Sequence, residues 1–285
     1  MIKTGITSES YCDFPDERRG LLEIKEDGYD CIDYSGITAE DYPVFSLGDQ
    51  DYKNYLADLG AFTKSIGLEV YQAHGLWPSD DTSAEKRSRN IELYKRQIEG
   101  CSFLGCKRLV VHPVRPFGWE KDTDHEFTFQ ENIKMWSALI PTAKDFGVMI
   151  CVENLPFDFA DCFGSHTKNI RKIVDAINSP YVRICLDTGH ANIMGENISE
   201  SVLIYGDKLE ALHVHDNGGG SYNDRHYPPY YGNIDWDGFT KALGDIGFKG
   251  CISLEPTFPK RAPDEIKEYF RKGYSAIAKH LAKKV

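Results

Sequence analysis

The chain has 285 residues, 41% of them hydrophobic, and its 33 basic and 44 acidic side chains give a formal net charge of −11. That balance excludes a broad basic footprint for polyanions from the average composition, so nucleic acid is not the expected partner, although a local site built on a metal can still be positive. Eight cysteines are scattered along the chain, several of them inside apolar runs (Cys151, Cys185, Cys251). They read as small buried hydrophobes of a reducing compartment, not as a disulfide scaffold. The opening residues "MIKTGITSESYCDF" lack the basic segment and apolar core of a signal peptide. No apolar run approaches the roughly 20 residues that span a bilayer. A cytoplasmic enzyme with no membrane partner is expected.

Short β-rich runs alternate with helical patterns along the chain. The first run is "IKTGIT" (2–7), followed by runs at 29–36, 68–75, 107–114, 148–155, 182–190, 209–217 and 250–257. Between them, "YLADLGAFTKSIG" places Leu56, Leu59, Ala61, Phe62 and Ile66 on one side, and 90–105 and 132–147 show the same 3.6-residue period. Several of these patterns stop at a glycine (Gly67, Gly105, Gly147, Gly247), the usual helix terminator, and Pro141 is expected to kink the third. Eight strand–helix units of this kind predict an α/β fold: a single (β/α)8 TIM barrel over residues 1–285, with its active site at the C-terminal rim of the strands. The rival is an open doubly wound sheet. It calls for a glycine-rich phosphate turn after the first strand, and "TGITSES" is not one. The irregular segment 217–234 is long enough to act as a lid.

Side chains alternate along a strand, so each late strand can be read by twos. Met149, Cys151 and Glu153 share a face, as do Arg183, Cys185 and Asp187, and Cys251, Ser253 and Glu255. In "ALHVHDN" the same register aligns Ala211 with the small residues and His213 with the carboxylates, leaving His215 as a rim residue. Four neighbouring strands thus deliver Glu153, Asp187, His213 and Glu255 to one rim. Crowded carboxylates repel, and a divalent cation is the simplest remedy. Oxygen donors with one imidazole suit Mn2+, Mg2+, Co2+, Fe2+ or Zn2+. His74 and His112 end the third and fourth strands, His190 follows Asp187 in "DTGH", and the long loop supplies Asp224 and His226.

The segments "HPV", "VEN", "LDTGH", "HVHD", "DRHYPPYYGNIDW" and "SLEP" resemble those of the xylose isomerase-like TIM barrel superfamily. It includes the sugar phosphate isomerases and epimerases and AP endonuclease family 2. The resemblance covers nearly the whole chain. It implies a metal held by Glu153, Asp187, His213 and Glu255, with Glu153 and Glu255 as the acid/base pair in the ketose epimerase branch. In the endonuclease IV branch a trinuclear zinc cluster uses further positions, which match His74, His112, His190, Asp224 and His226. The first strand departs from the nuclease pattern. The loop is closer to the "DxHxxPGxGxIDW" of sugar-directed members, with Tyr230 and Tyr231 departing from the usual glycine there.

The expected activity is therefore a metal-dependent isomerase or epimerase acting on a sugar or sugar phosphate through a cis-enediolate. His74, His112 and His190 are candidates to bind sugar hydroxyls. Trp77 and Trp119 are candidates to stack on the ring, and Arg115 to hold a terminal phosphate or carboxylate. The alternatives are an endonuclease IV-like zinc phosphodiesterase acting on apurinic DNA, and a dehydratase of a keto-inositol or keto-sugar on the same site. Homo-oligomers are common among such relatives, so assembly is an expectation from the resemblance alone.

Overall fold

The computed structural model describes residues 2–118, 120–156, 162–220, 224–259 and 261–285. Its strands are β1 (Lys3–Thr7), β2 (Cys31–Tyr34), β3 (Glu69–His74), β4 (Arg108–Val111), β5 (Met149–Glu153), β6 (Val182–Asp187), β7 (Leu209–His213) and β8 (Cys251–Leu254). The helices are α1 (Arg18–Glu26), α2 (Asp49–Ser65), α3 (Ala84–Leu104), α4 (His125–Phe146), α5 (Thr167–Ile177), α6 (Thr188–Ile193), α7 (Ile198–Tyr205), α8 (Trp236–Asp245) and α9 (Asp264–Lys284). Neighbouring strands pair in parallel in the order β7-β6-β5-β4-β3-β2-β1-β8. The last gap is closed by a parallel bridge between Val214 and Leu254, in which Val214 N donates to Ser253 O at 2.8 Å and Glu255 N donates to Val214 O at 3.1 Å. The sheet is therefore a nearly closed barrel and not an open doubly wound sheet. The closing bonds lie beside His213, His215 and Glu255, so closure itself sets the spacing of the rim.

The two faces of each strand explain the layers. Ile150, Val152, Ile184, Leu186, Ile252 and Leu254 are fully buried in the apolar cluster that joins strands to helices. The opposite faces fill the barrel interior with smaller groups: Val110, Cys151, Cys185 and Ala211 in one cluster, and Cys31, Tyr71 and Cys251 in another. All eight cysteines are free and buried. Helices α3 and α4 end at Gly105 (φ 74°) and Gly147 (φ 66°), a left-handed conformation that a Cβ disfavours. Pro141 lies inside α4, and the helix runs on through it. Among the described residues no helix is long and apolar enough to cross a membrane.

The expected one helix per strand fails after β6, where the short α6 precedes α7. This extra turn carries His190 to the rim. The long loop after β7 is pinned by Asp216. Its Oδ2 accepts from Tyr230 N at 3.0 Å and from Trp236 Nε1 at 2.9 Å, and its backbone bridges Tyr227. Tyr230 takes φ 77°, the conformation that the usual glycine would adopt freely.

Candidate active site

Asp187 ends β6 and caps α6, its Oδ1 accepting from His190 N at 2.7 Å. That one side chain thus aims both the strand end and the helix that bears His190. Glu153 ends β5, His213 ends β7 and His74 ends β3; His112 and Glu255 follow β4 and β8 directly. The rim brings these groups together around Glu153. Its Oε2 lies 3.1 Å from His213 Nδ1, 3.5 Å from His112 Nε2 and 4.0 Å from His74 Nε2, while its Oε1 lies 3.3 Å from His190 Nδ1. Glu255 Oε2 is 3.5 Å from the same His213 Nδ1. Asp187 is grouped with Glu153 and His190, one donor atom of each falling within 4.8 Å of the others. A second convergence is built from the long loop: Asp224 Oδ2 is 3.1 Å from His190 Nε2 and 2.9 Å from His226 Nε2.

The imidazoles are oriented by what their other nitrogen does. His74, His190 and His226 each place Nδ1 2.9 Å from a backbone carbonyl, those of Gly75, Asn154 and Glu255. A carbonyl only accepts, so Nδ1 carries the proton there and Nε2 faces the site. His213 is turned the other way: Nε2 is 2.7 Å from Asp33 Oδ2, and Nδ1 faces Glu153 and Glu255. His215 is fully buried. Its Nε2 donates to both oxygens of Asp187, at 2.9 and 3.0 Å, and its ring stacks on His226 with centroids 3.9 Å apart. It is therefore a buried clamp on Asp187, not the rim group the register suggested.

Burial opposes charge everywhere here, and the partners override it. Desolvation pushes Glu153 up, but the surrounding His213, His112 and His190 hold its carboxyl well below the usual range. Asp187 and Asp224 are likewise depressed against desolvation by the histidines beside them. His190 is raised well above its ordinary value, since Asp187 and Asp224 outweigh desolvation. His226 is raised to about 9, its hydrogen bond to Asp224 overcoming burial. His112 is the exception: desolvation takes it down to about 4, so it is neutral at pH 7.

This donor set fits a divalent cation. His213 Nδ1 and Glu153 Oε2 are buried, 3.1 Å apart, and neither has a hydrogen-bond partner. Two ligands at right angles on one ion of about 2.1 Å bond length stand roughly 3 Å from each other. Glu153 and Glu255 each bring one oxygen to His213 Nδ1, at 3.1 and 3.5 Å, while Asp187 is grouped with Glu153 and His190. The mixture of donors suits the same ions named from the sequence. The second group, His190, His215, Asp224 and His226, also offers atoms within 4.8 Å of one another.

Above these residues opens a cavity of about 580 Å³. Trp77 lines it, edge-on to His112 with centroids 4.5 Å apart, and Glu9, Ser35, Thr38 and Tyr42 form part of the facing wall. Arg115 stands apart from the described lining: its guanidinium carbon lies 5.3 Å from the Trp77 ring centre, and Nη2 donates to Ser79 O. Trp119 lies outside the described residues. Asp33 and the clamping part of His215 escaped the sequence reading. A signal for Asp33 was present, because "CID" in β2 repeats the small-then-carboxylate spacing of "CVE" and "CLD".

The family model described as "Xylose isomerase-like TIM barrel" matches residues 21–275. Among curated relatives, Uncharacterized protein MJ1311 of Methanocaldococcus jannaschii is 31% identical over 172 residues, spanning 59% of this chain and 57% of that protein. D-psicose 3-epimerase of Enterocloster bolteae is 24% identical over 251 residues, 85% of this chain and 77% of the relative. A crystal structure of D-psicose 3-epimerase with D-tagatose from Clostridium cellulolyticum H10 superposes with a TM-score of 0.80 at 17% identity, covering 99% of each chain.

Proposed function

The chain belongs to the xylose isomerase-like TIM barrel family, and on that premise we propose that it is a divalent-metal-dependent isomerase or epimerase of a keto sugar. The observation that carries this reading is the pairing of two glutamates on one point: Glu153 Oε2 and Glu255 Oε2 stand 3.1 and 3.5 Å from His213 Nδ1, at the base of a sugar-sized cavity. Glu153, Asp187, His213 and Glu255 would hold a divalent ion, which would supply Lewis-acid polarisation of a substrate carbonyl. One glutamate takes the proton from the carbon beside that carbonyl, and the other returns a proton to the resulting cis-enediolate. His190 and His74 hydrogen-bond the sugar hydroxyls, and Trp77 offers an apolar wall for the ring. The relative named D-psicose 3-epimerase supports this class of reaction.

The described lining residues include no lysine or arginine, and Glu9 adds a further carboxylate. That supports an uncharged sugar over a sugar phosphate, since the described lining places no guanidinium or ammonium to hold a phosphate. The test is a panel of free ketoses, keto-inositols and ketose phosphates incubated with metal-loaded protein, with products identified by NMR. Turnover of an uncharged member is expected; turnover confined to phosphates, or absent throughout, would overturn the proposal. Loss of water in place of epimerisation would mark the dehydratase branch. The second convergence at Asp224 favours one further reading, an endonuclease IV-like zinc phosphodiesterase using several ions. Three metals per chain together with cleavage of an abasic duplex would establish that reading; one metal and an intact duplex would remove it.

A further inference from the structure

We infer that Asp33 is a positioning residue that fixes the tautomer and aim of His213, so that Nδ1 of this imidazole, and not Nε2, is the atom given to the metal. The inference rests on the metal-site reading above. It starts from an asymmetry among the histidines of the site. His74, His190 and His226 all use a backbone carbonyl to hold Nδ1–H and present Nε2. His213 has the reverse orientation, and the group behind it is a carboxylate, with Asp33 Oδ2 at 2.7 Å from Nε2. A carboxylate can only accept here, so it selects Nε2–H and leaves the Nδ1 lone pair facing Glu153 and Glu255.

Asp33 is itself held in place. It is 2% exposed, and Gln72 Nε2 donates to its Oδ2 at 2.9 Å while also donating to Leu212 O at 3.2 Å. The chain of contacts runs from β3 through β2 to β7 across the barrel interior, ending beside the residue it orients. Its other oxygen, Oδ1, has no hydrogen-bond partner. A buried carboxylate with so few partners is a poor device for stability. Behind a metal-bound imidazole it has a use, because its charge raises the basicity of the ring and locks its rotation.

The experiment has two arms. In protein loaded with Zn2+, a diamagnetic ion, 15N spectra of the histidines, with His213 assigned by difference against His213→Gln, should show a protonated Nε2 and a metal-bound Nδ1. The opposite arrangement overturns the inference without any variant of Asp33. In the second arm, calorimetric metal affinity of Asp33→Asn should fall by about 10–100-fold, while its circular dichroism and unfolding midpoint stay near wild type. Unchanged affinity, or a loss of folding with the Nδ1-protonated tautomer in the wild type, makes Asp33 a packing residue only. A wild-type chain that takes up no divalent ion contradicts the metal-site reading itself, whereas a loaded wild type with an equally tight Asp33→Asn contradicts only the role of Asp33.

Discussion

Glu153 Oε2 and His213 Nδ1 face each other across 3.1 Å in the barrel interior, and neither is satisfied by a hydrogen bond. Left alone, such a pair costs free energy, and a shared cation or a shared proton removes the cost. The same carboxylate is one of the two acid/base groups proposed for catalysis. Glu153→Gln keeps the shape but puts an amide in place of the charge. Turnover is expected to fall by about 10²–10⁴-fold or more, with substrate still binding, as checked by steady-state kinetics and by a separate ligand titration. A variant keeping most of its activity would rule out the acid/base role.

His215 turns Nε2 onto both oxygens of Asp187. His215→Ala should leave that carboxylate held by His190 N alone and weaken metal binding by roughly 10-fold. A second route reaches the same contact. A Cβ placed on Gly189 would stand 2.0 Å from His215 Cε1, so Gly189→Ala should displace the imidazole and lower affinity in the same direction. Calorimetric titration of both variants is the check. Unchanged affinity in both would reduce His215 to filler.

Metal uptake should release protons. His226 is held up to about 9 because its hydrogen bond to Asp224 overcomes desolvation, so at pH 7 it carries a proton that an ion at Asp224 must displace. In the metal-free protein this pair adds stability below pH 6.5, and that stability is lost as pH rises through about 9. Metal affinity moves the other way, climbing as pH rises towards about 9 and levelling off above it. Titrations in buffers of different ionisation enthalpy measure the protons released; a pH-independent affinity would contradict the geometry.

Away from the site, Glu17 accepts from Tyr34 and Tyr55 at 2.8 and 2.6 Å, yet desolvation raises its carboxyl to about 7. Its contribution is therefore fully present below the ordinary value of 4.5 and is lost as pH rises through about 7. Glu17→Gln should be more stable than wild type above pH 7, by up to roughly 3 kcal/mol, and equal to it in acid. Urea unfolding at pH 5 and pH 8.5 measures the difference; a gap that does not vary with pH would refute it.

The barrel was legible because side chains alternate along a strand, so a small interior residue marked the face of the polar residue two places on. Cys151 and Glu153, Cys185 and Asp187, and Ala211 and His213 revealed their register that way; of the expected ligands, Glu153 and Glu255 both approach His213 Nδ1, while Asp187 groups with Glu153 and His190. Asp33 obeys the rule too, but β2 is four residues long and its neighbour Tyr34 is also buried, so no polar face stood out from the apolar one. His215 was harder for a physical reason. A two-residue period says which face a side chain takes, but past the end of the strand it does not say how deeply the next residue is covered, and here the stacked ring of His226 covers it. The extra helix α6 is only 6 residues long, too short for a period to register in the sequence.

In the proposed mechanism these carboxylates move a proton on a carbon beside a carbonyl. Solvent deuterium exchange reads that step without requiring knowledge of the product. Metal-loaded protein in heavy water, offered uncharged ketoses and keto-inositols, should incorporate deuterium at that carbon, and Glu153→Gln and Glu255→Gln should abolish the incorporation. A fully loaded, folded protein that exchanges no carbon-bound hydrogen in any of them would contradict the account.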